Sequence, residues 1–321
     1  MALSAPTNNY YQTLLPTLNV LEQERIDLKE RRVIYVFCTV VSMLTFLILT
    51  IIVSAWFIIP FFFCFAYGTS KSLEPATSFS NKFKDVIVPK IIANIDQSLQ
   101  FSKDCSFPVD QVLGTGLFVG YTDKAQLSCE DLIHSQKYGD IKIFEANIRD
   151  EVSIKVAAKD INRLNFASTQ VAESNLVRSN VKTESLFSGK LMVATYPRQF
   201  TGRTIVARKT FFKNNIPPGY QKVTLESPEF MSLFDVYSTD QMDARMCLQT
   251  DIMLNLCNLA KRDNANIEVS FANQKIFLAL HTPKNSFEIG ISKTILENRI
   301  YDQFAGDVIE LLNIVRNLKL Q

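Results

Sequence analysis

Hydrophobic and polar positions divide this chain into three kinds of stretch. The first is a block of about 35 residues, 33–67, without one charged side chain. As a single α-helix it would measure ~52 Å, far more than the ~30 Å hydrocarbon core of a bilayer. Folded back, it makes two spans near the short limit of ~17 residues each. Backbone groups in lipid must bond within their own segment, so the block is helical either way. The pattern predicts spans over 33–51 and 54–68 with a reversal at 52–56. Val33 and Phe46 lie in the first span, Trp56 at the far interface, and Pro60 and Tyr67 in the second. Trp favours that interface, and Pro60 is expected to remove one helix bond from the second span. Arg25, Lys29, Arg31 and Arg32 precede the block, and Lys71, Lys82 and Lys84 follow it. Basic residues mark cytoplasmic flanks, so both ends are expected in the cytoplasm. The rival is one long tilted helix that sends the rest of the chain across the membrane.

The second kind of stretch has a helical period. Leu14, Leu18, Leu21 and Ile26 make a short amphipathic stem ahead of the spans. After a polar linker at 69–77, Phe79, Phe83, Ile87, Ile91, Ile95 and Leu99 recur every four residues, with Pro89 as a kink or a junction. Further short helices are expected at 108–113, from Ser227-Pro228-Glu229, over 240–248 from the Ser238–Gln241 capping box, and over 251–262 behind Thr250. A last helix from about residue 292 would bury Ile300, Phe304, Val308, Leu311, Val315 and Leu318.

The third kind alternates with period two. Leu117, Val119 and Tyr121, then Ile141 and Ile143, then Val152, Ile154 and Val156 read as strands. So do 186–195, 203–209, 222–225 and a β-hairpin of 267–271 with 275–281 around Asn273-Gln274, while 162–182 reads as a long loop. The expected class is α+β: an N-terminal transmembrane helical hairpin, then a mixed, mostly antiparallel sheet domain with a long C-terminal helix. The boundaries are a cytosolic stem (1–32), the hairpin (33–68), a linker with amphipathic helix (69–107) and a soluble α+β domain (108–321).

Composition adds little. Net charge is +2, so no global polyanion partner is implied. Cys38 and Cys64 fall in the spans; Cys105, Cys129, Cys247 and Cys257 have no CxxC spacing and read as buried free thiols of a reducing compartment. A single span would instead permit disulfides. His134 and His281 each stand alone on a predicted strand, and no HExxH, GxSxG or phosphate-loop spacing occurs. Leu113-Gly114-Thr115-Gly116 is only part of a dinucleotide fingerprint. Neither a cofactor nor a metal is expected.

Two clusters remain. Asp235, Asp240 and Asp243 surround Tyr237 and Arg245 and could form an acid–base or cation site, although capping explains Asp240 equally well. Between Glu184 and Glu226 no acidic residue occurs, while Arg198, Arg203, Arg208, Lys209 and Lys213 do, with Lys190 and Lys222 beside them and aromatic residues between. Under a membrane, the nearest large anion is the headgroup layer. Single-stranded nucleic acid is a weaker alternative, and a solvated hairpin balanced by acids elsewhere needs no partner at all.

Phe187-Ser188-Gly189-Lys190, Tyr196-Pro197-Arg198-Gln199-Phe200-Thr201-Gly202-Arg203-Thr204, Leu225-Glu226-Ser227-Pro228-Glu229-Phe230 and Phe234–Gln241 with Ala244-Arg245 resemble the bacterial domain-of-unknown-function family 3137. The 84–92 segment and Glu130-Asp131 fit the same pattern. The resemblance implies a two-helix membrane hairpin ahead of a cytosolic domain in a bacterial inner membrane, and no established activity. The expected function is a membrane-anchored interaction or scaffold protein, with a membrane or cytosolic protein as a further partner. The alternatives are an enzyme using the Asp235–Arg245 region, or an effector secreted into a host membrane.

Overall fold

The computed structural model describes residues 8–52, 56, 58–118, 124–155, 179–196, 199–209, 216–262, 266–281, 290–297, 305–306, 308–309 and 311–313. They form two compact units. One joins 1–101 to 285–313, and the other joins 102–284 to 314–321.

The first unit is helical. α1 runs unbroken over Asn8–Ile52, α2 over Ile58–Val86 and α3 over Val88–Ile95. Among the described residues one helix, within 14–52, is long and apolar enough to cross a membrane, and none of its apolar window is buried. Between residues 33 and 67 large apolar side chains stand outward, from Val33 at 61 % exposure to Tyr67 at 68 %. Trp56 lies between α1 and α2 and is exposed. Hydroxyls within this stretch bond back to their own helix: Thr39 donates to the Tyr35 carbonyl, Thr45 to Ser42 and Thr50 to Phe46. These three hydroxyls therefore need no solvent partner.

α1 and α2 touch at regular intervals. Ser42 Oγ lies 3.3 Å from Cys64 Sγ, and Lys82 Nζ lies 2.6 Å from the Glu24 carboxylate. Gly68 is pressed so closely on the Thr39 side chain that a Cβ there would overlap it. These pairs have residue numbers with a nearly constant sum, the signature of antiparallel neighbours.

The expected linker at 69–77 is instead helical, inside α2. Its polar residues suit a helix because they close on it: Thr69 donates to the Phe65 carbonyl, Ser72 to Thr69 and Thr77 to Glu74, and Lys71 pairs with Glu74 at 2.8 Å. Pro60 does not interrupt a helix, because it falls in the first turn of α2, where its missing N–H has no partner to lose. Pro89 sits at the start of α3 and makes the junction between α2 and α3. The period-four stripe is buried as expected, with Phe79, Phe83, Ile87 and Ile91 at 4 % exposure or less.

The stem of α1 is buried too. Leu14, Leu18 and Leu21 turn inward, and so do Glu22 and Arg25. Arg25 holds the Glu22 carboxylate with two nitrogens, at 2.8 and 2.9 Å. Each partner also grips the returning C-terminal segment: Arg25 donates to the Ile291 carbonyl at 2.6 Å, and Glu22 accepts from the Ile295 amide at 3.1 Å. The Arg25 hydrogen bonds, opposed by burial, lower the Glu22 carboxyl from 4.5 to about 2. The helix expected from about residue 292 does not begin there, since 290–297 is turn and bend. Among the described residues of that stretch, helix appears only at 305–306, 308–309 and 311–313, which include buried Val308, Leu311 and Leu312.

The second unit is a nine-stranded antiparallel sheet in the order β1-β2-β3-β4-β9-β8-β5-β7-β6. The strands are β1 (Gln100–Asp104), β2 (Gln126–Ser135), β3 (Ile141–Lys155), β4 (Ser179–Thr195), β5 (Thr204–Arg208), β6 (Gln221–Val223), β7 (Phe234–Ser238), β8 (Asn266–Ala272) and β9 (Lys275–His281). β4 begins at Ser179, inside the stretch expected to be loop, because 179–185 pairs with 149–155 of β3. The expected strand at 117–121 is turn up to Phe118, and the rest of it lies outside the described residues. Asn273 and Gln274, both with positive φ, close the tight β8–β9 turn.

One sheet face shows the period-two rule plainly. Phe144, Ala146 and Ile148 of β3, Leu191 and Val193 of β4, and Phe277 and Ala279 of β9 form one core cluster. α4 (Val109–Leu113) and the turn after it cover that face with Val112, Leu113, Leu117 and Phe118. The other helices of this unit are α5 (Pro228–Leu233), α6 (Gln241–Cys247) and α7 (Thr250–Arg262). Ser227 caps α5 by accepting from the Phe230 amide, as its position before proline predicts. The cap of α6 is Asp240 rather than Ser238, whose hydroxyl donates to the carbonyls of Arg203 and Asp240.

Cys105 and Cys129 are joined in a disulfide, whereas the sequence reads both as free thiols. Spacing along the chain hides the pair. The adjacency of β1 and β2 brings the two Cα atoms to 5.4 Å. Cys247 and Cys257 are free and buried, as expected.

Candidate functional site

The basic interval is dispersed by the fold. β5 lies between β8 and β7, and Thr204 to Ala207 are all buried. Arg203 precedes this strand, while Arg208 and Lys209 sit at its other end. Five or six residues of strand hold these ends about 17 Å apart. Arg203 is exposed and donates to the Gly114 carbonyl at 3.4 Å. Burial pushes the nearby Tyr220 hydroxyl up, and the Arg203 charge opposes that shift. Lys209 is exposed and Arg208 half-buried. Lys190 points into the protein at 2 % exposure, opposite Glu145 in register. Lys222 pairs with Asp235 at 2.8 Å. Arg198 and Lys213 lie outside the described residues.

Of the Asp/Arg cluster, Asp240 and Asp243 meet at the start of α6, whereas Asp235 pairs with Lys222 and Arg245 turns to the Thr224 carbonyl. Asp240 caps α6 through the amides of Met242 and Asp243, at 2.8 and 3.2 Å. Asp243 Oδ2 accepts three hydrogen bonds, from the Thr201 amide (2.9 Å), the Thr201 hydroxyl (3.0 Å) and the Gly202 amide (2.7 Å). Gly202 is required there, since a Cβ would stand 2.6 Å from the Asp240 Cβ. Arg245 donates to the Thr224 carbonyl at 3.1 Å. The Thr201-Gly202-Arg203 and Ser238–Ala244 segments, distant in sequence, thus form one clamp. Asp240 and Asp243 thereby hold the 201–203 segment and the start of α6.

A polar group that the sequence treats as isolated is not alone. His281 Nε2 lies 3.4 Å from Glu268 Oε2, and Glu268 is 4 % exposed. The His281 ring also meets Phe187 edge-on, with centroids 4.8 Å apart. Asn266 stands opposite His281 in register, and its amide atoms are buried without a hydrogen-bond partner. The signal was present in β8, where Asn266, Glu268 and Ser270 alternate with Ile267, Val269 and Phe271. Polar residues on a strand with two covered faces mark buried polar contacts. Ser270, on the same strand, donates its hydroxyl to the Thr115 carbonyl at 2.8 Å. Among the described residues, no group of three or more His, Cys, Asp or Glu could hold a metal ion.

No curated protein matches the chain. A solved structure similar to it is the mycobacterial trehalose monomycolate transport factor A, TtfA, at 11% identity, covering 69% of this chain and 89% of that one with a TM-score of 0.33. A likeness at that score carries no argument about fold or role. The family model described as protein of unknown function (DUF3137) matches residues 185–320. The stretch from β4 onward, which contains the Thr201–Gly202 and Asp240–Asp243 clamp, is therefore similar to that family.

Proposed function

We propose that this protein is a membrane-anchored interaction or scaffold protein whose sheet unit faces the cytosol, in a bacterial inner membrane as the family resemblance implies. One observation carries the proposal: α1 and α2 expose an uncharged, apolar surface from Val33 to Tyr67, on a chain that buries its other long apolar stripe. An exposed apolar surface of that extent needs a nonaqueous neighbour. The Ser42–Cys64 and Thr39–Gly68 contacts support two helices crossing as an antiparallel pair. Close approach over a glycine is how helices associate where lipid supplies no hydrophobic drive between them. Basic residues on both flanks favour the cytoplasmic side for both ends. The engaged carboxylates of the Asp235–Arg245 region favour interaction over catalysis.

Reporters of sidedness fused in turn at residue 1 and residue 321 test the proposal, together with alkaline carbonate extraction. Both reporters are expected on the cytosolic side and the protein in the carbonate-resistant pellet. Opposite sidedness overturns the paired crossing, and release by carbonate overturns the anchor.

A further inference from the structure

Cys105 follows β1 and Cys129 lies within β2, and the loop they close is part of the core. Leu113 and Phe118 from that loop pack into the sheet cluster. The Thr115 carbonyl takes the Ser270 hydroxyl at 2.8 Å, and the Gly114 carbonyl takes the Arg203 guanidinium at 3.4 Å. Both half-cystines are half-buried and within reach of a small reagent. The other cysteines of this unit are not, with Cys247 at 0 % and Cys257 at 1 % exposure. Burial also pushes the Cys257 thiol up, which keeps it protonated and inert.

We propose that Cys105–Cys129 is a reversible redox latch that pins the 105–129 loop to the sheet when oxidised and releases that tether when reduced. The proposal rests on the cytosol-facing reading above, because disulfides in a reducing compartment are transient and serve sensing or catalysis. The oxidant is a low-molecular-weight disulfide of the glutathione class. One cysteine thiolate attacks a sulfur of that disulfide, forming a mixed disulfide and expelling one thiol. The second cysteine thiolate attacks the protein-bound sulfur and expels the other thiol. The protein has lost two electrons and two protons, and the reagent has become two thiols. Excess small thiol runs the same steps backward. Gly114, within the tethered loop, supports Arg203 through its carbonyl, so the redox state sets how firmly the support of that exposed cation is held.

The test uses the full chain in native membranes, with a mass-tagging maleimide to count free thiols. Under unstressed conditions Cys105 and Cys129 are expected to be labelled, to lose two labels on treatment with oxidised glutathione, and to regain them with dithiothreitol. The C105S and C129S variants are each expected to lose the two-label response. In purified protein, oxidation is expected to raise the melting temperature by several degrees, about the effect of closing a loop of this length in a domain of this size. Failure of the oxidant to remove two labels overturns the latch. A pair already protected in unstressed membranes overturns it too, and a sidedness reporter at residue 321 then separates the causes. A cytosolic reporter leaves the anchored reading intact and removes only the latch, whereas an external one removes both.

Discussion

Asp243 receives three hydrogen bonds on one carboxylate oxygen, and two of the donors are backbone amides that face no other partner in the clamp. An Asp243→Ala substitution leaves those donors stranded, at about 1–3 kcal/mol for each one that water cannot reach. The expected result is a loss of a few kcal/mol in denaturant unfolding, with Asp243→Asn retaining part of the stability. Gly202→Ala is expected to destabilise by a separate cause, since its methyl would meet the Asp240 side chain at 2.6 Å. Glu22 makes a second prediction. Its carboxyl is lowered to about 2 in the fold, against 4.5 ordinarily. A depressed carboxyl stabilises the fold above the unfolded value, and that stability drains away as pH falls through the folded one. The clasp on Ile291 and Ile295 should therefore hold at neutral pH and weaken between about pH 4.5 and 2, as proteolysis of the C-terminal segment would report; in E22Q that segment should be sensitive already at pH 7. Residues of this kind were partly legible. Asp240 as a cap follows from its place before a helix, whereas the three bonds of Asp243 join positions some forty apart, which periodicity cannot see.

At the scale of elements, the long apolar block and the period-four stripe were legible because each buries or exposes a whole helical face. The strands of the centre were legible in two ways, by alternation over parts of β3 such as 141–143 and 152–154, and by a short continuous apolar run in β9. The 69–77 stretch reads as a linker because its side chains are polar, whereas serine and threonine there satisfy carbonyls one turn back and keep it helical. The disulfide escaped for a different reason: strand neighbours in space need not be spaced regularly in sequence. The α1–α2 contacts lead to a third prediction. Gly68→Leu should push the helices apart at Thr39. Ser42 lies 3.3 Å from Cys64, so S42C should crosslink to Cys64 under mild oxidation, and the added Gly68→Leu change should abolish that crosslink. Persistence of the crosslink in the double variant would contradict close packing over Gly68.

At the scale of the molecule, the chain does not divide where composition changes. Residues 285–313 belong with the N-terminal helices, although the sheet strands lie between them in sequence. A chain beginning at residue 97, between α3 and β1, should keep its sheet, read by circular dichroism, but leave 290–297 without Glu22 and Arg25 and open to protease. Full protection of that segment in the shortened chain would show that the clasp is dispensable. The consequence reaches further through α1. From Thr17, just past Pro16, to Ile52 α1 is one helix with no proline inside it, so if it crosses a bilayer as proposed, a change of thickness that tilts the outer turns must swing the inner turns as well. Glu22 and Arg25 sit on those inner turns and hold Ile291 and Ile295, so on the proposed reading α1 would act as a lever by which membrane thickness is felt there.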